Sequence, residues 1–209
     1  MNGAAPGLAL RLQTVPDGWE LEDGFRMPES RSQDQSIVVL VSVLERHVVR
    51  QGAGFAARNM ALRWRPDAPQ VGVDPDVMLL PEEPPDAELL RSIRTWMPGH
   101  HPPRVAFEVV SEGTAEKDYG VGPAKYADSG TREAWIFDPL RLGPAEPVVL
   151  QVYRRTKRGR FPRVYAGDGP AWSEELGAWL VVTDGGQRLR LADDREGCSL
   201  WPTALEVER

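Results

Sequence analysis

Residues 105–110 read VAFEVV, five apolar side chains around one glutamate, Glu108. An apolar run of this length, set between Pro103-Arg104 and Ser111, is expected to be a buried strand. Burying an unpaired carboxylate is costly, so the chain must supply Glu108 with a compensating partner. Three readings are open: an arginine ion pair, exposure at a strand end, or a hard cation. Magnesium suits the third, since it takes one or two carboxylates and fills its shell with waters. That reading needs a second carboxylate, and Asp76 is the best placed, at the edge of the short apolar segment Val77–Leu80.

The segments around this run alternate between β and helical patterns. Ile37, Leu40, Val41, Leu44 and Val48 recur at helical spacing, predicting a helix over 37–50 that Gly52 and Gly54 end. In residues 55–65 (FAARNMALRWR), Met60, Leu62 and Trp64 would share one strand face. Residues 89–96 are expected to form a short helix. Another is expected around Pro123–Asp128, with Pro123 in its first turn and Gly130 after its end. Residues 133–138 (EAWIFD) form a second apolar strand. A strand, a helical crossover and another buried strand predict neighbours in a mixed sheet. Further β segments are expected at 148–153, 163–166, 179–183 and 189–191, with Asp184-Gly185-Gly186 turning between the last two. The fold class is therefore α/β, a mixed sheet flanked by helices with extra C-terminal β segments. Residues 1–18 are expected to be a flexible lead-in and 19–209 a single domain.

Composition narrows the setting. With 41% hydrophobic and 27% charged residues, the chain is ordinary for a soluble globular protein. No apolar run approaches the roughly 18 residues of a membrane helix, and the N-terminus lacks a basic signal region. A cytoplasmic location is the expectation. Cys198 is the one cysteine, so no internal disulfide can form. The net charge of −6 argues against a general nucleic-acid coating protein but allows a local basic groove. Of 25 basic residues only Lys117, Lys125 and Lys157 are lysines. Two of them follow Glu108 closely. Lysine is a compact charge with a tunable pKa, which arginine does not replace.

Three blocks carry a resemblance: VDPDVMLL, PPRVAFEVVSEGTAEKDYG and KYADSGTREAWIFDP. In this order they resemble the Uma-type family of putative restriction endonucleases, within the PD-(D/E)XK nuclease superfamily. The matching residues are Pro75-Asp76, Glu108 to Ser111, Thr114, Asp118, Tyr126, Gly130 and Trp135 to Pro139. The segment WELEDGFRM resembles the family's opening hairpin, and RWRPDAPQ its turn before the aspartate. The pattern departs in three places: the family's lysine, four residues after Asp118, is Gly122 here; the superfamily's usual lysine position after Glu108 is Val110; and the family's histidine after the first hairpin is missing, with Asp34 and Gln35 in that area.

The resemblance implies a restriction-endonuclease-like core and a Mg²⁺- or Mn²⁺-dependent endonuclease acting on DNA, with RNA not distinguished. Asp76 and Glu108 would hold the metal, and the backbone carbonyl of Val109 would complete it. Lys125, on the helix after the Glu108 strand, would assist the attacking water in place of the missing lysine. Lys117, expected in the intervening loop, is the weaker choice. A homodimer would suit duplex cleavage. The competing expectation is a catalytically silent nuclease fold that serves as a nucleic-acid-binding or regulatory module, favoured by Gly122. The run YRRTKRGRFPRVY places Arg154, Arg155, Lys157, Arg158 and Arg160 around a turn at Gly159. It reads either as a charged ribbon that blocks edge pairing or as a phosphate-contacting arm. Tyr126 and Trp135 are expected to be core. His100 and His101, adjacent in a loop, are expected to project apart.

Overall fold

A computed structural model describes residues 15, 16, 18–20, 31–85, 87–145 and 147–208. Most of the expected lead-in, and the hairpin expected within 19–27 beyond Glu20, lie outside the described residues. In chain order the elements are α1 (Arg31–Gln51), β1 (Phe55–Arg58), β2 (Ala61–Arg63), β3 (Val77–Leu80), β4 (Ser92–Arg94), β5 (Val105–Val109), α2 (Ala115–Tyr119) and α3 (Gly122–Ser129). There follow β6 (Glu133–Phe137), β7 (Leu150–Arg154), β8 (Arg163–Gly167), β9 (Ala171–Ser173), β10 (Ala178–Thr183), β11 (Arg188–Ala192) and α4 (Ala204–Val207).

The framework is a six-stranded mixed sheet in the order β1-β3-β5-β6-β7-β8. β5 and β6 pair in parallel, as a helical crossover requires, and the other neighbours are antiparallel. Every residue of β3, β5 and β6 is buried, since layers cover both faces of the sheet. On one face Val77, Leu79, Val105, Phe107 and Trp135 pack with Ile37, Leu40 and Leu44 of α1 and with Leu180 and Leu191 of the β11-β10-β9 sheet. On the other face Met78, Leu80, Ala106 and Ala134 meet Tyr126 of α3 and Leu62 and Ile93 of the β2-β4 ribbon. Alternation along β5 turns Glu108 to this second face, with Ala106.

Buried residues of α1 fall at 33, 36, 37, 40, 43, 44 and 47, a helical stripe that begins before the apolar run does. The helix therefore starts at Arg31, six residues ahead of the expected Ile37, and polar Gln33 and Ser36 are part of its buried face. Three other expectations are corrected. The alternation through 55–65 breaks at Asn59, whose φ of 55° turns the chain between β1 and β2. Residues 89–96 form no helix; Ser92–Arg94 is a strand parallel to β2, because Ile93 needs the same pocket as Leu62. The loop expected to hold Lys117 is helix α2. Strand β9 was not foreseen.

Candidate active site

Strand β3 starts one residue after Asp76, so β5 extends beyond its neighbour there. The backbone of Val109 has no strand partner on that side and is satisfied by side chains. Its N–H donates to Asp76 Oδ2 at 2.7 Å, and its carbonyl accepts from Gln33 Nε2 of α1 at 3.1 Å. Asp76 is thereby held beside the residue that follows Glu108. From there its charge acts on the Glu108 carboxyl.

After β5, Ser111 and Thr114 fold the chain back. The Ser111 N–H donates to Thr114 Oγ1 at 3.0 Å, and the Ala115 N–H donates to the Ser111 carbonyl at 3.0 Å. This polar turn launches α2 and brings Lys117 and Asp118 over Glu108. The Lys117 ammonium lies 3.9 Å from Glu108 Oε1 and 3.3 Å from Asp118 Oδ1. On α3, Tyr126 donates its hydroxyl to Glu108 Oε1 at 2.6 Å. Tyr126 is core, as expected, but its hydroxyl also belongs to the site.

The electrostatics follow from burial. Glu108 is 2% exposed, and desolvation pushes its carboxyl well above the ordinary range. The Lys117 charge opposes that shift, while Asp118 and Asp76 reinforce it. Desolvation raises Asp118 as well, again against the pull of Lys117. The Lys117 ammonium is held protonated, chiefly by Glu108. Lys125 is 3% exposed; burial and the neighbouring Lys117 charge bring it down to about 8.

Lysine placement differs from expectation. Lys117, the weaker choice in the sequence, makes the ion pair with Glu108. Lys125 is buried near the same carboxylate, but no ion pair to it falls among the described residues. Gly122, at the family's lysine position, is the buried first residue of α3. A Cβ there would lie 3.2 Å from the Lys117 carbonyl. Gln33, whose polar character hid it within a helix, and Asp118 were not singled out for the site, although Asp118 was quoted in the family pattern.

The residues present fit a divalent cation. Asp76 and Asp118 lie close enough to Glu108 to raise its proton affinity. Asp118 Oδ1 is buried, with the Lys117 ammonium 3.3 Å away, and among the described residues it has no well-formed hydrogen bond. A cation would offset the repulsion among these groups. Among the described residues, no group of three His, Cys, Asp or Glu side chains is already gathered as a ligand cage.

The profile of the Uma2 family, described as putative restriction endonucleases, matches residues 16–182. The chain belongs to this family. The match runs from the first described residues through most of β10 and includes every residue of the site. No curated protein matches the chain. Among solved structures, a putative nuclease belonging to DUF820 from Anabaena variabilis is similar in fold, with a TM-score of 0.51 and 15% identity. The alignment covers 72% of this chain and 76% of that one. The fold is thus the α/β arrangement expected from the sequence: a mixed sheet flanked by helices with further C-terminal strands.

Several residues singled out in the sequence have structural work instead. Arg154 donates to buried Glu133 at 2.7 Å and to Glu174 at 2.9 Å. Glu133 also accepts from Ser173, the Glu174 N–H and Trp135, tying β6 to β9. Arg155 donates to the carbonyls of Tyr126, Ala127 and Thr131 at the end of α3. Lys157, Arg158 and Arg160 are exposed on the turn. The register Glu133↔Arg154 puts that turn at the opposite end of the strands from Val109. The expected arm is therefore partly committed to the fold, and it does not adjoin the carboxylates. His100 and His101 do project apart, one accepting from the Arg94 N–H and the other meeting Glu82. Asp138 caps its own turn, accepting from Tyr119, Leu140 and Gly143. No helix among the described residues is long and apolar enough to cross a membrane.

Proposed function

We propose that the chain is a divalent-metal-dependent endonuclease that hydrolyses phosphodiester bonds in DNA. The observation that carries this reading is the junction of Asp76 with the Glu108–Val109 strand end, roofed by the Lys117 ammonium 3.9 Å from Glu108. Asp76 and Glu108 would hold Mg²⁺ or Mn²⁺. The Val109 carbonyl, which accepts from Gln33, has a second lone pair to contribute. When bound, the metal would lower the pKa of a coordinated water and neutralise charge on the phosphate.

The chain's own residues have distinct tasks. The Val109 N–H orients Asp76, and Tyr126 orients Glu108 from below. Lys117, kept protonated by Glu108, offers a positive charge to the phosphate oxygens as negative charge develops there. We assign this assisting role to Lys117 in preference to Lys125, because its ammonium is the one paired with the carboxylates. Lys125 would support the site from within the fold. RNA would satisfy the same chemistry, and a homodimer would suit duplex cleavage.

A second reading has one observation in its favour: the family's lysine position is Gly122. On that reading the protein binds nucleic acid without cutting it. Incubation of supercoiled plasmid and of single-stranded circular DNA with Mg²⁺ or Mn²⁺, alongside Asp76→Ala and Glu108→Ala, separates the two. Cleavage lost in both variants and in chelator supports the enzyme. Cleavage that survives both substitutions overturns the site, and binding without cleavage by any form favours the second reading.

A further inference from the structure

The β2-β4 ribbon carries a basic cleft that the carboxylate site does not use. Its parallel register is Ala61↔Ser92, Leu62↔Ile93 and Arg63↔Arg94. Leu62 and Ile93 are fully buried, so alternation turns Arg63 and Arg94 outward together. Two arginines thus leave the ribbon from paired positions on neighbouring strands about 4.8 Å apart. Like charges so placed repel. Arg91, one residue before β4, adds a third, and all three line a cleft of about 400 Å³ with Trp96.

Among the described residues, no carboxylate lines this cleft and none makes an ion pair with these arginines. Arg63 donates to the Pro69 carbonyl at 2.5 Å and Arg94 to Ser92 Oγ at 3.3 Å; among the described residues the Arg91 side chain has no hydrogen-bond partner. Trp96 is half-buried, and among the described residues its ring packs on no other aromatic ring. Such a cluster is poorly explained by folding alone. Its charge is unbalanced in a chain of net charge −6.

The cleft lies on the Glu108 face of the sheet. Leu62 and Ile93 share a core with Ala106 and Tyr126, and Trp64, next to Arg63, donates to Asp128 of α3 at 2.6 Å. We propose that this cleft binds a nucleic-acid strand, its phosphates on Arg63, Arg91 and Arg94 and an unpaired base against Trp96. Guanidiniums match phosphate oxygens with their planar fork, and an aromatic face stacks on any unpaired base. The proposal rests on the nuclease reading for its substrate class, and it assigns that substrate a place away from the turn at 157–160.

The test is fluorescence anisotropy of a labelled single-stranded oligonucleotide and its duplex, in chelator and with Glu108→Gln as background, so cleavage does not enter. Arg91→Gln with Arg94→Gln should weaken binding by about tenfold or more and flatten the salt dependence by roughly 1.4, near 0.7 for each lost phosphate contact. Trp96→Ala should weaken single-strand binding by roughly 5- to 100-fold and duplex binding less. Lys157→Gln with Arg158→Gln should leave both unchanged. Wild-type affinity and salt slope in the double arginine variant would overturn the proposal. So would equal competition by polyglutamate, which would mark a site for acidic protein. Arg91→Gln alone, at an exposed side chain with no bond to lose, repeats the test if the double variant fails to fold. If binding behaves as expected but no form cleaves DNA, the cleft stands and the enzymatic reading falls.

Discussion

The hydroxyl of Tyr126, one turn before the end of α3, donates a 2.6 Å hydrogen bond to Oε1 of Glu108 in the middle of the sheet. The bond joins a helix to the buried carboxylate on which the site depends. Tyr126 is 1% exposed, so no water can replace its hydroxyl. Tyr126→Phe should therefore cost about 1–3 kcal/mol, the usual penalty for a buried acceptor left without its donor. Urea unfolding measures the stability loss, and titration with Mg²⁺ should show weaker binding in the same variant.

Glu108→Gln should separate stability from activity. The glutamate is desolvated and shares its surroundings with Asp76 and Asp118, so removing its charge relieves repulsion. The variant should melt at or above the wild-type temperature without metal and gain nothing on adding Mg²⁺, whereas the wild type should gain. A wild-type-like increase in the variant would remove Glu108 from the metal site.

The two lysines should differ. Lys117→Met removes the cation between Glu108 and Asp118 and should slow plasmid cleavage by about 100-fold or more, in the range for loss of one group stabilising developing charge. Lys125→Met should have a smaller effect on turnover. Single-turnover rates at saturating DNA decide between them, and the reverse order would return the assisting role to Lys125.

Arg154 should prove to be a folding residue. Glu133 is 0% exposed, and Arg154 is its only charged partner among the described residues. Arg154→Met should destabilise by about 3–5 kcal/mol by stranding a buried charge, while Arg158→Met, on the exposed turn, should stay within about 0.5 kcal/mol. Equal midpoints in denaturant would contradict the assignment.

The C-terminal helix should loosen in acid. Arg190 holds Glu206 with bonds of 3.1 and 2.8 Å, bringing its carboxyl down to about 2 from an ordinary 4.5. Because the folded value is the lower one, the stabilisation is complete above 4.5 and is lost as pH falls toward 2. The effect is small, since the Glu206 side chain is half exposed. Amide exchange at Glu206 and Val207 should accelerate over that window. In Glu206→Gln it should show no such pH dependence beyond the chain's intrinsic rate.

Sequence alone determined the buried strand 105–109, because a short continuous apolar run rich in β-branched and aromatic residues favours a strand covered on both faces, and it exposed Glu108 as the anomaly within that strand. It also picked out Asp76 as a candidate, from its position at the edge of an apolar segment, and β5 and β6 as sheet neighbours, from the crossover between two such runs. Tertiary structure decided which cations reach those carboxylates. Lys117 and Lys125 look alike in the chain, and only the turn at Ser111–Thr114 and the packing of α2 swing one of them to Glu108. Arg154 and Arg155 look like a surface arm until the register brings them to Glu133 and the end of α3. Residues 89–96 look helical until Ile93 and Leu62 are seen to share one pocket. Periodicity and burial are local properties that a run of residues carries with it. Pairing between charges depends on contacts far apart in sequence, which exist only once the sheet has set its register.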